Sequence, residues 1–248
     1  MTALTPDERS IRPGTIMSRA LAIYGQEVGV LIPAALVVYA VEAVLALALG
    51  GLLASLGALV GLVATTFYNG MVVELVRDVQ DGRRDSTAAD LFRAVRPVVL
   101  PLIAVSLLAG VGIFVGFLLL VVPGLILMTI WSVVGPVTVL ERPGVLAAFG
   151  RSRALVQGFG WQVFGVLLVV VLLAIVAGVV VGLLARDIGD VGQTIVSWAI
   201  NVVTAPLSAL LTSVLYFALR RAHGEPRMSS GAATPEGART WHPPSAAP

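Results

Sequence analysis

Glu42 is the residue whose placement promises the most chemistry. It interrupts Val28–Leu49, a run otherwise free of charge. A carboxylate held in hydrocarbon is costly, and such groups serve proton relays and ion pathways. Counting about 1.5 Å per helical residue from Gly50, Glu42 lies roughly 12 Å inside the apolar layer. The same count places Ser132, Ser197 and Asn201 at comparable depth. Asn69, Ser106, Thr212 and Ser213 fall in a second layer, nearer the cytoplasm. Glu42 is expected to hydrogen-bond within the first layer. A transport or proton-relay role competes with a plainer reading, a protonated or snorkelling glutamate in a helix contact. The relay idea fails if Glu42→Gln leaves function intact across pH.

Little else in the chain speaks for catalysis. The two histidines, His223 and His242, sit near the C-terminus, and there is no cysteine. Thiol chemistry, disulfides and cysteine-based metal sites are thereby excluded. No nucleophile elbow, phosphate loop, facing carboxylate pair or metal-ligand spacing occurs. The reading is non-enzymatic, with no cofactor implied. A lipid enzyme would need a polar cluster at the cytoplasmic interface, for which Arg77, Asp78, Glu141 and Arg142 are the candidates.

The elements that position these residues follow from composition. Of 248 residues, 58% are hydrophobic and 12% charged. Soluble domains carry about 25% charged residues. Uncharged runs of 20 or more residues match a hydrocarbon core of about 30 Å. The fold class is all-α: a polytopic membrane protein with six transmembrane helices in three hairpins. Spans are expected at about 28–49, 52–76, 98–121, 124–140, 161–184 and 191–219. Gly50-Gly51 and Pro123-Gly124 are the expected turns of the first two hairpins. Residues 1–11 read as a flexible N-terminus and 222–248, rich in Pro, Ala, Gly and Ser, as a disordered tail. The N-terminus does not resemble a cleaved signal peptide.

A short amphipathic helix is expected before each hairpin. Thr15–Gln26 gathers Ile16, Met17, Ala20, Leu21, Ile23 and Tyr24 on one face. Within Arg77–Arg96, read as aqueous, Ser86 or Thr87 suits the cap of a helix whose Leu91, Phe92 and Val95 face the membrane. Val145–Phe159 is the third. All 16 basic residues are arginine. Fifteen fall on one side of the expected topology, and Arg186 alone on the other. Because arginine is retained on the cytoplasmic side, both termini and all three surface helices are placed there. Arg19, Arg93, Arg151 and Arg153 are the candidate lipid-headgroup contacts. The pI of about 9.5 reflects few charges, not a nucleic-acid surface.

Two patterns concern assembly. Arg12-Pro13-Gly14 recurs as Arg142-Pro143-Gly144, and Ser18-Arg19-Ala20-Leu21 as Ser152-Arg153-Ala154-Leu155, which reads as an internal repeat. Gly57/Gly61, Gly112/Gly116 and Gly178/Gly182 are small-xxx-small pairs that let helices approach closely in lipid. Packing within the chain is their expected use; a homo- or hetero-oligomer face is the alternative.

Pro123–Leu168 carries a resemblance. "VPGLILMTIWSVVGPVTVLE", a Gly/Pro turn, then "AAFGRSRALVQGFGWQVFGVLL" is similar to the glycerophosphoryl diester phosphodiesterase membrane domain and to related bacterial six-helix families. Ser152, Leu155, Val156 and Gly158 form the shared Ser-x-x-Leu-Val-x-Gly core. "IMSRALAIYGQEVGVLI" resembles the family's opening helix, and the similarity covers residues 12–221. The soluble phosphodiesterase fused to some members has no counterpart here: neither His-Arg-Gly nor Glu-x-Asp occurs. The resemblance implies a multi-pass protein of the bacterial inner membrane, with lipids as partners and no carried-over activity. The function expected is a scaffold or accessory factor in envelope or lipid physiology. The alternative is a small transporter or channel using Glu42 and the polar layers. A polar cavity reaching Glu42 favours transport; a dry, glycine-packed bundle favours the scaffold.

Overall fold

The computed structural model describes residues 12–48, 54–82, 87–184, 186 and 189–225. Residues 1–11, the Gly50-Gly51 turn, Arg83, Arg84, Asp187 and the tail beyond Glu225 lie outside the described residues. Among the described residues regular structure is entirely helical. The helices are α1 (Pro13–Gln26), α2 (Val28–Ala48), α3 (Ala54–Gln80), α4 (Ala88–Val95), α5 (Val99–Leu119), α6 (Val121–Ile130), α7 (Val134–Leu140), α8 (Val145–Val156), α9 (Gly160–Leu184) and α10 (Gly189–Ala222).

Five stretches are long and apolar enough to cross a membrane: Val28–Leu45, Ala89–Leu119, Val121–Leu140, Gly160–Leu184 and Val191–Ala222. They fit a multi-pass membrane protein. α3 (Ala54–Gln80) is not among them. Arg77–Gln80, read as the start of the aqueous segment, continues the helix of α3. The outward surface is apolar, with Val37, Leu100, Phe114, Leu118, Leu172 and Ile175 all exposed. Lipid removes the cost that water would impose on such a surface. α10 is the core helix. Within its apolar segment 61% of the residues are buried, against 11% for α9.

Consecutive long helices pack on one another, α2 on α3, α5 on α6 and α9 on α10. Each short helix lies against the helix that ended the pair before it. α4 rests on α3, α8 on α7, and α1 on α10, which closes the ring. Pro13 occupies the first turn of α1, where a missing N–H leaves no bond unmade. Ile16, Ala20 and Ile23 form its buried face. Thr87 caps α4: its hydroxyl accepts from the Asp90 N–H, and the Asp90 carboxylate accepts from the Thr87 N–H. Leu91 and Val95 do not face the membrane as expected; both are buried on the protein side, while Phe92 is exposed. The reason is Gly70 of α3. A Cβ there would come within 2.7 Å of Val95, so only glycine lets the two helices meet.

The second hairpin departs most from expectation. The chain turns at Leu120, in extended conformation, and not at Pro123-Gly124. Pro123 and Gly124 fall in the first turn of α6, where proline is tolerated. The return helix is also broken at Trp131–Val133. Pro136 explains the break, since it lacks the N–H that would bond the Ser132 carbonyl. The Ser152 hydroxyl of α8 donates to the Ile130 carbonyl at 2.8 Å, which ties α8 to the broken end of α6. Pro101 lies in the first turn of α5, within the apolar stretch Ala89–Leu119. Pro33 and Pro206 are inside α2 and α10.

The repeated words do not mark equivalent positions. Aligned by those words, buried Ser152 stands opposite exposed Ser18, and buried Leu155 opposite exposed Leu21. The elements keep a different register. Pro13 and Val145, which open α1 and α8, are 132 residues apart, as are Val28 and Gly160, which open α2 and α9. Buried Ile16, Ala20 and Ile23 match buried Ala148, Ser152 and Leu155 at that same spacing.

Candidate functional site

α10 carries a row of polar residues at helical spacing: Gln193, Thr194, Ser197, Asn201, Thr204, Ser208 and Thr212. From Thr194 on, steps of three and four residues keep them on one face, with Gln193 one turn before Ser197. From Thr194 to Thr212 the row rises about 27 Å, close to a hydrocarbon thickness of about 30 Å. The row runs along three adjoining cavities. The first, about 360 Å³, is lined by Tyr39, Glu42, Gln193, Ser197, Trp198 and Asn201 among others. The second, about 490 Å³, shares Tyr39, Ser197 and Asn201 with the first and continues along α9 past Ala174 and Gly178 to Ser208. The third, about 290 Å³, shares Val170 and Ser208 with the second and is ringed by Thr66, Asn69, Ser106, Ser132 and Thr212.

Glu42, Ser197 and Asn201 thus meet at one cavity, as the depth count expects. Ser132 does not join them. It lies in the third cavity with Asn69, Ser106 and Thr212, the layer read as nearer the cytoplasm. The error came from the turn. Counting from Leu120 instead of Gly124 adds four residues, about 6 Å of depth. Ser213, assigned to the same layer, is fully buried and donates to the Ala209 carbonyl at 2.7 Å.

Glu42 is half-buried, and its side chain lies across Gly61 of α3. A Cβ at Gly61 would stand 3.1 Å from Glu42 Cγ and 3.3 Å from Oε1. Tyr39, one turn earlier, stacks edge-on to Tyr68 at 6.4 Å between centroids. Tyr68 is buried and donates to the Leu31 carbonyl at 3.3 Å, which fixes α3 to α2.

Hydrogen-bond capacity along the cavities is divided. Thr204, Ser208 and Thr212 donate to carbonyls of α10 itself at 2.9–3.0 Å, leaving their oxygens as acceptors. Donors come from the amides of Gln193, Asn201 and Asn69. Ser132 Oγ and Trp198 Nε1 are buried polar atoms without a partner, and both residues line these cavities. A buried donor without a partner costs about 1–3 kcal/mol. Among the described residues no arginine lines any of the three cavities. The lining suits small neutral or cationic solutes rich in hydrogen-bonding groups.

Sequence reasoning missed most of the α10 row. It took Ser197, Asn201 and Thr212 as members of layers and passed over Thr194, Thr204 and Ser208. Their periodicity was the available signal: the 3–4 spacing runs for five helical turns.

The arginines read as headgroup contacts divide among three situations. Arg19 is exposed on α1. Arg93 is exposed and pairs with Asp90 at 3.1 Å. Arg151 is committed to the protein. Its Nε and Nη2 bond Glu141 at 2.7 and 3.2 Å, and Nη2 bonds Glu225 at 2.6 Å. Arg220 Nε reaches Glu225 at 2.7 Å, and the Tyr216 hydroxyl donates to Glu141 at 2.8 Å. This network joins the middle of α8 to the ends of α7 and α10. Partnership with both carboxylates raises the Arg151 pKa, its bond to Glu141 being the largest cause. Arg153 is exposed and forms no ion pair among the described residues.

The remaining interface candidates make local bonds, and Arg77, Asp78 and Arg142 all lie near Glu74. Arg77 bonds Glu74 at 3.4 Å, and Arg142 Nη2 donates to the Ala94 carbonyl at 3.4 Å. Among the described residues no group of histidine and carboxylate side chains has the geometry of a metal site. Comparison with protein-family models, with curated proteins and with solved structures finds no match.

Proposed function

We propose that this chain is a small membrane transporter or channel for neutral or cationic polar solutes, with α10 as the wall of the path. The observation that carries this reading is the set of adjoining cavities that follow the α10 row from Glu42 to Thr212. Glu42 stands at one end as the selective charge. A hydroxyl and amide lining replaces part of a solute's hydration, and the lone carboxylate disfavours anions.

The placement that goes with it is a six-span protein of the bacterial inner membrane in three hairpins, with α3 as the sixth span and both termini cytoplasmic. The fifteen-to-one distribution of arginines supports the orientation. α3 supports its own place by closing one wall of the third cavity with Thr66 and Asn69. Polar residues on a span are tolerated where they face a cavity.

Purified protein in liposomes tests the function. A panel of glycerol, urea, a neutral amino acid, a small amine and protons is followed by light scattering, tracer uptake or a pH dye. At least one is expected to cross ten-fold faster than in protein-free vesicles, with the excess lost in Asn201→Leu/Ser208→Leu. Rates equal to protein-free vesicles for the whole panel overturn the reading.

A scaffold or accessory role in envelope or lipid physiology is the second reading. It draws on the resemblance at Pro123–Leu168 and on Gly178/Gly182, where an added Cβ meets nothing within 4 Å and a second helix would find room.

A further inference from the structure

We propose that the groove between α6, the end of α8 and the start of α9 binds one anionic phospholipid, with its phosphate at Arg153 and an acyl chain along α6. The groove encloses about 690 Å³. Its floor is apolar: Val122, Leu125, Ile126 and Ile130 of α6, with Val156 and Phe164 opposite. From Val122 to Ile130 the floor runs about 12 Å, enough for much of an acyl chain. Arg153, Gln157 and Gln162, from the corner between α8 and α9, form its polar end, and Thr129 of α6 adds a hydroxyl. None of the three corner side chains has a hydrogen-bond or ion-pair partner among the described residues. Neighbouring Arg151 is spent on Glu141 and Glu225, so Arg153 is the cation left to face outward.

Local structure holds that polar end open. Gly158 takes φ +89°, a conformation strained for other residues, and turns the chain sharply between α8 and α9. The first turn of α9 then lies beside Arg153 and presents its positive end to the groove. Trp161, 84% exposed, stands at the rim as interfacial tryptophans do. Ser152, Leu155 and Val156 hold the inner side of this corner, Ser152 through the Ile130 carbonyl. Charge and shape together select the occupant. A free phosphate would leave the apolar floor without a partner. A zwitterionic lipid would bring its own cation against Arg153. The proposal rests on α6 and α9 meeting lipid, and is independent of the path along α10.

Trp161 reports on the groove directly. In a variant keeping it as the sole tryptophan (W131F/W198F/W241F), brominated phosphatidylglycerol and brominated phosphatidylcholine are compared as quenchers at equal mole fraction. The anionic lipid is expected to be preferred about fivefold, the effect of one arginine at a lipid surface. Arg153→Gln should abolish the preference, Arg19→Gln should preserve it, and excess inorganic phosphate should not compete. Native mass spectrometry of the chain with all tryptophans retained gives a second readout: phosphatidylglycerol retention is expected to fall in Arg153→Gln alone. Equal quenching by the two lipids, or retention unchanged by Arg153→Gln, overturns the proposal. Displacement by inorganic phosphate assigns the site to a free anion and overturns it too.

Discussion

Arg151 holds two carboxylates from different parts of the chain, and so joins α8 to the ends of α7 and α10. Its side chain is 30% exposed, so its ion pairs are only partly screened. Removing it leaves two neighbouring carboxylates in a half-buried pocket, Glu141 bonded to Tyr216 and Glu225 to Arg220. Bonds to charged partners contribute about 1.5–3 kcal/mol each, less where water enters. Arg151→Ala is therefore expected to lower stability by roughly 2 kcal/mol, seen as a lower Tm in detergent. The same network predicts a pH dependence. Burial raises the Glu225 pKa, but hydrogen bonds from Arg151 and Arg220 outweigh it and hold the carboxyl below its ordinary 4.5. A depressed carboxyl stabilises the fold above its unfolded pKa and loses that contribution as pH falls through the folded value. Melting temperature should drop on acidification below 4.5, and Glu225→Gln should flatten the drop. Equal acid sensitivity in wild type and Glu225→Gln would show that other carboxylates govern it.

Glycine decides how closely the elements approach, and the glycine pairs are not alike. A Cβ at Gly116 would stand 3.0 Å from the Gly124 Cα and 2.9 Å from Leu127, and one at Gly112 would enter the Trp131 ring. Backbone cannot move aside as a flexible side chain can. Gly116→Ala is expected to cost 1–3 kcal/mol, roughly the range for overpacking, while Gly178→Ala should be neutral or stabilising by up to about 1 kcal/mol. Unfolding both variants in detergent with rising denaturant checks the pair; similar costs would refute the packing difference. The pairs were visible in the sequence, but which one packs inside the chain was not, because spacing fixes a face and not its neighbour. The long apolar helices and the Thr87 cap were likewise legible, since they depend on local composition and capping. The Leu120 turn was not: Pro123-Gly124 is the stronger turn signal, yet proline also suits a helix's first turn. The Trp131–Val133 break escaped for a related reason. Pro136 shows that one bond is lost without showing how far the helix unwinds.

At the scale of the whole molecule, the question is whether the α10 row meets water or only other side chains. A polar row buried in a dry bundle would be costly, whereas one that lines a path is solvated along its length. The chain contains no cysteine, so each single substitution is read on an unreactive background. Ser197→Cys, Asn201→Cys, Thr204→Cys and Ser208→Cys place thiols along the cavities. Ile195→Cys and Val203→Cys place them on the exposed apolar face of the same helix. Only the thiolate reacts with a maleimide, and a thiol in hydrocarbon does not ionise. A membrane-impermeant maleimide should therefore label the row positions at least ten-fold faster than Ile195 and Val203, in steps of three and four residues. The proposed orientation adds a sidedness. Positions near Glu42 should label from the outer face and Thr212→Cys from the cytoplasmic face, with Glu42→Gln leaving the pattern in place because it removes charge and not space. If row and lipid-facing positions label equally slowly, the cavities are closed to water. The bundle is then a scaffold whose hydroxyls serve its own helices.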